Sequence, residues 1–126
     1  MFEQLFFTRP MQMVQTEEPA QAVRPKADAV ESEKEVRVYL EMPNIDRESL
    51  KVAVKDGILT VEARRNQNGK NGNYLFKETS QQNYFRNFEL GENLDPEKIS
   101  ARYHNGILTL ICQKKEKALP RTIQVN

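Results

Sequence analysis

The residues with intrinsic reactivity are few: one histidine, His104, and one cysteine, Cys112, among 19 basic and 18 acidic side chains. A Cys/His metal centre needs about four ligands, so this pair cannot form one. With no second cysteine an internal disulfide is impossible, and Cys112 is compatible with a reducing compartment. Cys112 shares a strand face with Leu108 and Leu110, the setting of a buried thiol. His104 stands just before a turn, where a structural or solvated role is expected. No nucleophile–base–acid set can be assembled. Lys114, Lys115 and Lys117 read as a solvated hinge, and a net charge of +1 gives no bulk attraction to nucleic acid or anionic lipid. The expectation is a non-enzyme, with neither metal nor cofactor and no nucleic-acid partner.

The remaining chemistry is apolar binding, and it sits at the two ends of the chain. Phe2, Phe6 and Phe7 are three of the six phenylalanines, and Met1, Met11 and Met13 are three of the four methionines. Phe2, Leu5 and Phe6 have i, i+3, i+4 spacing, but so short a turn is marginal as an isolated helix. Phe and Met make contacts with modest geometric demands, suited to many partners. At the other end Ile123 and Val125 project to the same side of an extended chain, a pattern that can add to a sheet edge.

Between these ends the pattern has period two. Val36, Val38 and Leu40 alternate with Arg37, Tyr39 and Glu41, and Leu50, Val52 and Val54 alternate with Lys51, Ala53 and Lys55. Asp56-Gly57 and Asn105-Gly106 interrupt two such runs, and these dipeptides suit the type I′ hairpin turn, which needs positive φ at both positions. The hairpins share Gly-Ile-Leu-Thr at an offset of 49 residues, which predicts two similar hairpins facing each other across a sandwich. Asp46 is placed to cap a single turn through Ser49, and Asp95-Pro96-Glu97 predicts another short helical turn. Further strands are expected at Tyr74–Thr79 and Tyr84–Leu90. Seven or more short strands with no helix of ordinary length imply an all-β, antiparallel, immunoglobulin-like β-sandwich. No 18-residue apolar run predicts a membrane span, and Met1–Phe7 lacks the basic start and long apolar stretch of a signal peptide, so a cytoplasmic protein is expected.

In order and spacing these residues resemble the small heat-shock protein family, whose core is the α-crystallin domain. Ala101-Arg-Tyr-His-Asn105-Gly106-Ile-Leu108-Thr-Leu110 is similar to the family's A-x-x-x-N-G-[VI]-L-T-[VL] signature. Tyr84-Phe-Arg86-Asn-Phe88 resembles its aromatic-x-Arg-x-Phe strand, and Met42-Pro43 through Val52 resembles its L-P-G segment, with Asn44 in place of the glycine. Ile123-Gln124-Val125 resembles its C-terminal I-x-[IV] motif.

The resemblance implies an α-crystallin sandwich over 26–112, an apolar N-terminal arm over 1–25 and a C-terminal extension over 113–126. These segments carry net charges of −1, −1 and +3. It implies an ATP-independent holdase that binds partly unfolded client proteins; the adaptable Phe2, Leu5, Phe6, Phe7, Met11 and Met13 suit either that binding or packing of the oligomer interior. It implies a homo-oligomer built from dimers, with ATP-dependent refolding chaperones as further partners. The dimer loop would be Asn66, Gln67, Asn68, Gly69, Lys70, Asn71, Gly72, Asn73 and Tyr74, pairing with a neighbouring subunit. Ile123 and Val125 would dock in a groove between Leu50, Val52 and Val54 on one strand and Tyr84, Arg86 and Phe88 on another. A p23-like co-chaperone or interaction scaffold is the alternative, against which the Ile-x-Val motif and the polar 66–73 loop argue.

Overall fold

The computed structural model describes residues 3–4, 22–66, 72–73, 75–76, 78, 82–116 and 125. The described strands are β1 (Glu3–Gln4), β2 (Ala27–Glu31), β3 (Glu35–Glu41), β4 (Lys51–Lys55), β5 (Ile58–Ala63), β6 (Tyr84–Glu89), β7 (Leu94–His104) and β8 (Ile107–Lys114). They form two four-stranded sheets in the orders β2-β3-β8-β7 and β1-β6-β5-β4. Every ladder is antiparallel except β1 on β6. The expected sandwich is present, with the β4–β5 hairpin in one sheet and the β7–β8 hairpin in the other. No helix of the described residues is long and apolar enough to cross a membrane.

Alternation decides what fills the space between the sheets. Val36, Val38 and Leu40 of β3 pair with Cys112, Leu110 and Leu108 of β8, and all six are fully buried. From the opposite sheet Leu59, Val61, Ala63, Tyr84 and Phe88 meet them. Each large apolar side chain so buried contributes about 1.5–3 kcal/mol, which offsets the entropy cost of ordering the chain.

Both hairpin turns have positive φ at both central residues, 52° and 76° at Asp56-Gly57 and 50° and 78° at Asn105-Gly106. Asn44 also takes a positive φ of 56°, so the Met42-Pro43 corner keeps its shape without glycine. That corner rests on the second turn: Met42 N–H donates to the Gly106 carbonyl at 2.8 Å, and a Cβ on Gly106 would stand 3.4 Å from Pro43. Asp46 caps the 3-10 turn Arg47–Ser49, its carboxylate accepting from Glu48 N–H at 3.2 Å.

Two expectations are corrected. Asp95-Pro96-Glu97 lies within β7 rather than in a helical turn. β7 edges its sheet, and its register on β8 shifts between Leu94 and Ile99, so the proline is accommodated where no continuous ladder is required. Asp95 still accepts from Glu97 N–H at 3.0 Å, closing a side-chain turn instead of a helix. Of the expected strand at Tyr74–Thr79, Leu75, Phe76 and Glu78 are described, and none is in a strand. Aromatic and apolar residues alone cannot hold an isolated segment extended without a ladder partner.

Candidate functional site

The two expected walls of the groove do not face each other. β5 lies between β4 and β6, and Tyr84, Arg86 and Phe88 are all buried. The β4–β5 hairpin makes β5 the neighbour of β4, so in-register rows run Val52–Val61–Arg86 and Val54–Leu59–Phe88 across one inward face. Arg86 serves the interior: its Nη1 donates to the Pro25 carbonyl at 2.6 Å, and its guanidinium lies 5.1 Å from the Phe88 ring centre. A charge-assisted bond of this kind ties the segment before β2 to β6.

That tie fixes how the sheets superpose. With the β6 end held against the start of β2, the β4 edge falls on the same side of the sandwich as the β7 edge. Contacts on that side agree. The Arg47 guanidinium, just before β4, lies 5.6 Å from the Tyr103 ring of β7, and Tyr103 Oη donates to the Met42 carbonyl at 2.7 Å. Leu50, Val52 and Val54 on one edge and Ile99 and Tyr103 on the other pack on the core yet remain partly exposed. Two half-buried apolar sheet edges thus lie on one side of the sandwich. Burial raises the Tyr103 phenol above its ordinary pKa, and the Arg47 charge opposes that shift. Ile99 and Tyr103 are the residues that the sequence reading missed. Their period-two spacing in Ile99-Ser-Ala101-Arg-Tyr103 carried the signal, which the assumed helical turn at Asp95 obscured.

A second surface lies at the root of the 66–74 loop. Asn66 N–H donates to the Asn44 carbonyl at 2.8 Å, and Arg65 Nε donates to the Gln82 carbonyl at 3.0 Å with its guanidinium 3.9 Å from the Tyr84 ring centre. These bonds tie the start of the loop to the Asn44 corner and to the segment just before β6. Gly72 and Asn73 are described, whereas Gln67, Asn68, Gly69, Lys70, Asn71 and Tyr74 lie outside the described residues. Beyond the loop Leu75 and Phe76 are 98% and 78% exposed. β2 ends its sheet, and Val30 on it is exposed.

The signature residues form the β7–β8 hairpin: Ala101 pairs with Leu110, Asn105 and Gly106 make the turn, and Leu108 enters the core. His104 is exposed at the end of β7. Cys112 is fully buried, and burial pushes its thiol up to about 11. Among the described residues no group of three or more His, Cys, Asp or Glu could hold a metal ion. Val125 is 93% exposed. Phe2, Leu5, Phe6, Phe7, Met11, Met13 and Ile123 lie outside the described residues.

A family model described as the Hsp20/alpha crystallin family matches residues 28–126. The chain belongs to the small heat-shock protein family. Among its small heat-shock relatives, the 17.6 kDa class II heat shock protein of Arabidopsis thaliana is 33% identical over 123 residues, 92% of this chain and 79% of the relative. The 18 kDa antigen 2 of Mycobacterium avium is 37% identical over 89 residues, 71% of this chain and 64% of the relative. The chain spans less than two thirds of the length of several curated relatives it matches, that protein included. A crystal structure of a small heat-shock protein from Xylella fastidiosa superposes with a TM-score of 0.69 at 28% identity, covering 85% of this chain and 99% of the other.

Proposed function

We propose that this small heat-shock protein is an ATP-independent holdase of the cytoplasm, acting as an oligomer built from dimers. It has an arm over 1–25, a sandwich over 26–112 whose last strand, β8, runs on to Lys114, and an extension over the rest of 113–126. The observation that carries the reading is the pair of apolar edges, β4 and β7, where Leu50, Val52, Val54, Ile99 and Tyr103 stay partly exposed; we read the space between them as the groove. Exposed Val125 and nearby Ile123 supply an occupant from another subunit, two apolar side chains on one side of an extended segment. Burying them contributes about 1.5–3 kcal/mol each, against about 1–2 kcal/mol per residue for ordering the tail. One tail therefore docks weakly, and many tails hold an assembly that can still release subunits.

The dimer contact we assign to the 66–74 loop with exposed Leu75 and Phe76, and its acceptor to the open β2 edge near Val30. Phe2, Leu5, Phe6, Phe7, Met11 and Met13 bind partly unfolded clients, which refolding chaperones then take over. The Xylella fastidiosa relative has a distinct high-order structure, which supports assembly here. The test is light scattering of a heated client protein without nucleotide. Suppression at equimolar subunit is expected, and no protection at several-fold excess refutes the reading. Size-exclusion with light scattering on Ile123→Ala plus Val125→Ala should show small species, and unchanged large oligomers would exclude the tail as the link.

A further inference from the structure

The second sheet has an outward face that the proposed assembly leaves unused. On β6 the inward positions are Tyr84, Arg86 and Phe88, so Phe85 and Asn87 project outward. With Ala53, Lys55, Asp56, Ile58 and Thr60 they line a depression of about 440 Å³. Phe85 and Ile58 are half-buried, and Asn87 is only 3% exposed, accepting a 2.7 Å hydrogen bond from Thr60 Oγ1. The opposite sheet lies on the other side of β6 and cannot provide that cover.

The N-terminal arm is anchored at both ends of this face. Val23 N–H donates to the Asn83 carbonyl at 2.7 Å, and its carbonyl accepts from Phe85 N–H at 3.0 Å. At the far end Glu3 and Gln4 pair in parallel with Phe88 and Glu89. The row Gln4–Glu89–Ile58–Lys55 then crosses the sheet in register. Adjacent strands are about 4.8 Å apart, so Ile58 is roughly 10 Å from Gln4 and Lys55 roughly 14 Å. Leu5, Phe6 and Phe7 follow Gln4 directly, and three residues reach about 10 Å. The most apolar stretch of the arm is thus tethered within reach of a depression whose apolar floor is Ala53, Ile58 and Phe85 and whose other lining residues are Lys55, Asp56, Thr60 and Asn87, at an effective concentration in the millimolar range.

We propose that the outward face of β4, β5 and β6 is a docking surface for the same chain's Leu5-Phe6-Phe7 segment. The arm is stored on its own subunit, and release both uncovers Phe85 and Ile58 and frees the phenylalanines. The docking stands on the strand register alone. Its role as storage for a client-binding segment rests on the chaperone reading.

The test uses the full-length assembly in a Cys112→Ala background, with Thr8→Cys paired to Lys55→Cys or to Arg102→Cys on the opposite sheet. Under mild oxidation by oxidised glutathione, the Lys55 pair should form an intrachain disulfide at least ten-fold faster than the Arg102 pair. Adding Phe6→Ser and Phe7→Ser should slow the Lys55 pair at least ten-fold, since the tether persists but the apolar anchor is gone. Equal rates for the two pairs, an unchanged rate without the phenylalanines, or products linking two chains would each overturn the proposal. Client protection is measured separately on the same samples. Its absence alongside a fast, phenylalanine-dependent cross-link would sink the chaperone reading and leave the docking intact.

Discussion

Gly57 and Gly106 occupy equivalent positions in the two hairpins, at φ of 76° and 78°, so alanine meets the same backbone penalty in both. A left-handed conformation costs an alanine about 1–2 kcal/mol, and the stiffer unfolded chain returns about 0.4–1 kcal/mol. The net loss at Gly57, where a Cβ would have nothing within 4 Å, should be about 1 kcal/mol. At Gly106 the Cβ would press on Pro43 Cα and Cβ at 3.4 Å, and mild overpacking should add up to about 1 kcal/mol. Urea unfolding at one fixed protein concentration measures both, because concentration alters the apparent stability of an assembly. With a slope of about 1–3 kcal/mol per molar urea, Gly57→Ala should lower the midpoint by about 0.5 M and Gly106→Ala by more. Equal shifts would show that the Met42-Pro43 corner does not bear on the turn. No shift at Gly57 would refute the strained-turn argument itself.

Further predictions concern the groove, the loop and the thiol. Val52→Glu should place a charge between β4 and β7, reducing oligomers to small species by light scattering, and should also lower the urea midpoint of the subunit, because Val52 packs on the core. Leu75→Ser with Phe76→Ser should weaken the dimer at least ten-fold by analytical ultracentrifugation without loss of sandwich stability, since both side chains are exposed in the single chain. The Cys112 thiol, pushed from 9.0 to about 11 by burial, keeps its proton longer in the folded state than in the unfolded one. Its stabilising effect is therefore complete below about pH 9 and is lost between pH 9 and about 11, by about 2–3 kcal/mol in all. Cys112→Ala should flatten that part of the stability–pH curve by this amount, and a native thiol that reacts rapidly with a maleimide at neutral pH would contradict the burial.

Local signals in this chain were legible because local physics sets them. The period-two runs gave β3 and β4, and Asp56-Gly57 and Asn105-Gly106 gave both hairpins with their positive φ. Asp46 was legible as a cap for the same reason. Pairings between distant segments were not. The Asp56-Gly57 hairpin put β5 beside β4, but nothing in Tyr84-Phe-Arg86 says that β6 takes the other edge of β5, or that the guanidinium turns inward to Pro25. Strand order depends on which edges the whole chain leaves free. Pro96 misled because a proline after Asp suits a helix start equally well as an irregular edge strand, and only the β8 register separates the two. The two apolar edges fell between these cases: the β4 edge was visible in the sequence, but its β7 counterpart needed the superposition of the sheets.

The pairing of β3 with β8 also sets a schedule for synthesis. Val36 cannot meet Cys112 until nearly the whole sandwich has left the ribosome. At about 5–20 residues per second, the apolar face of β3 waits roughly 4–15 s for its partner. During that interval each nascent chain exposes a row of valine and leucine, and neighbouring chains on one message expose the same row. A protein of this topology is therefore, while being made, open to the edge-to-edge aggregation typical of unpaired strands. If the proposed holdase activity extends to its own nascent chains, subunits already present would be the nearest protection, and the yield of new subunits should rise with their amount.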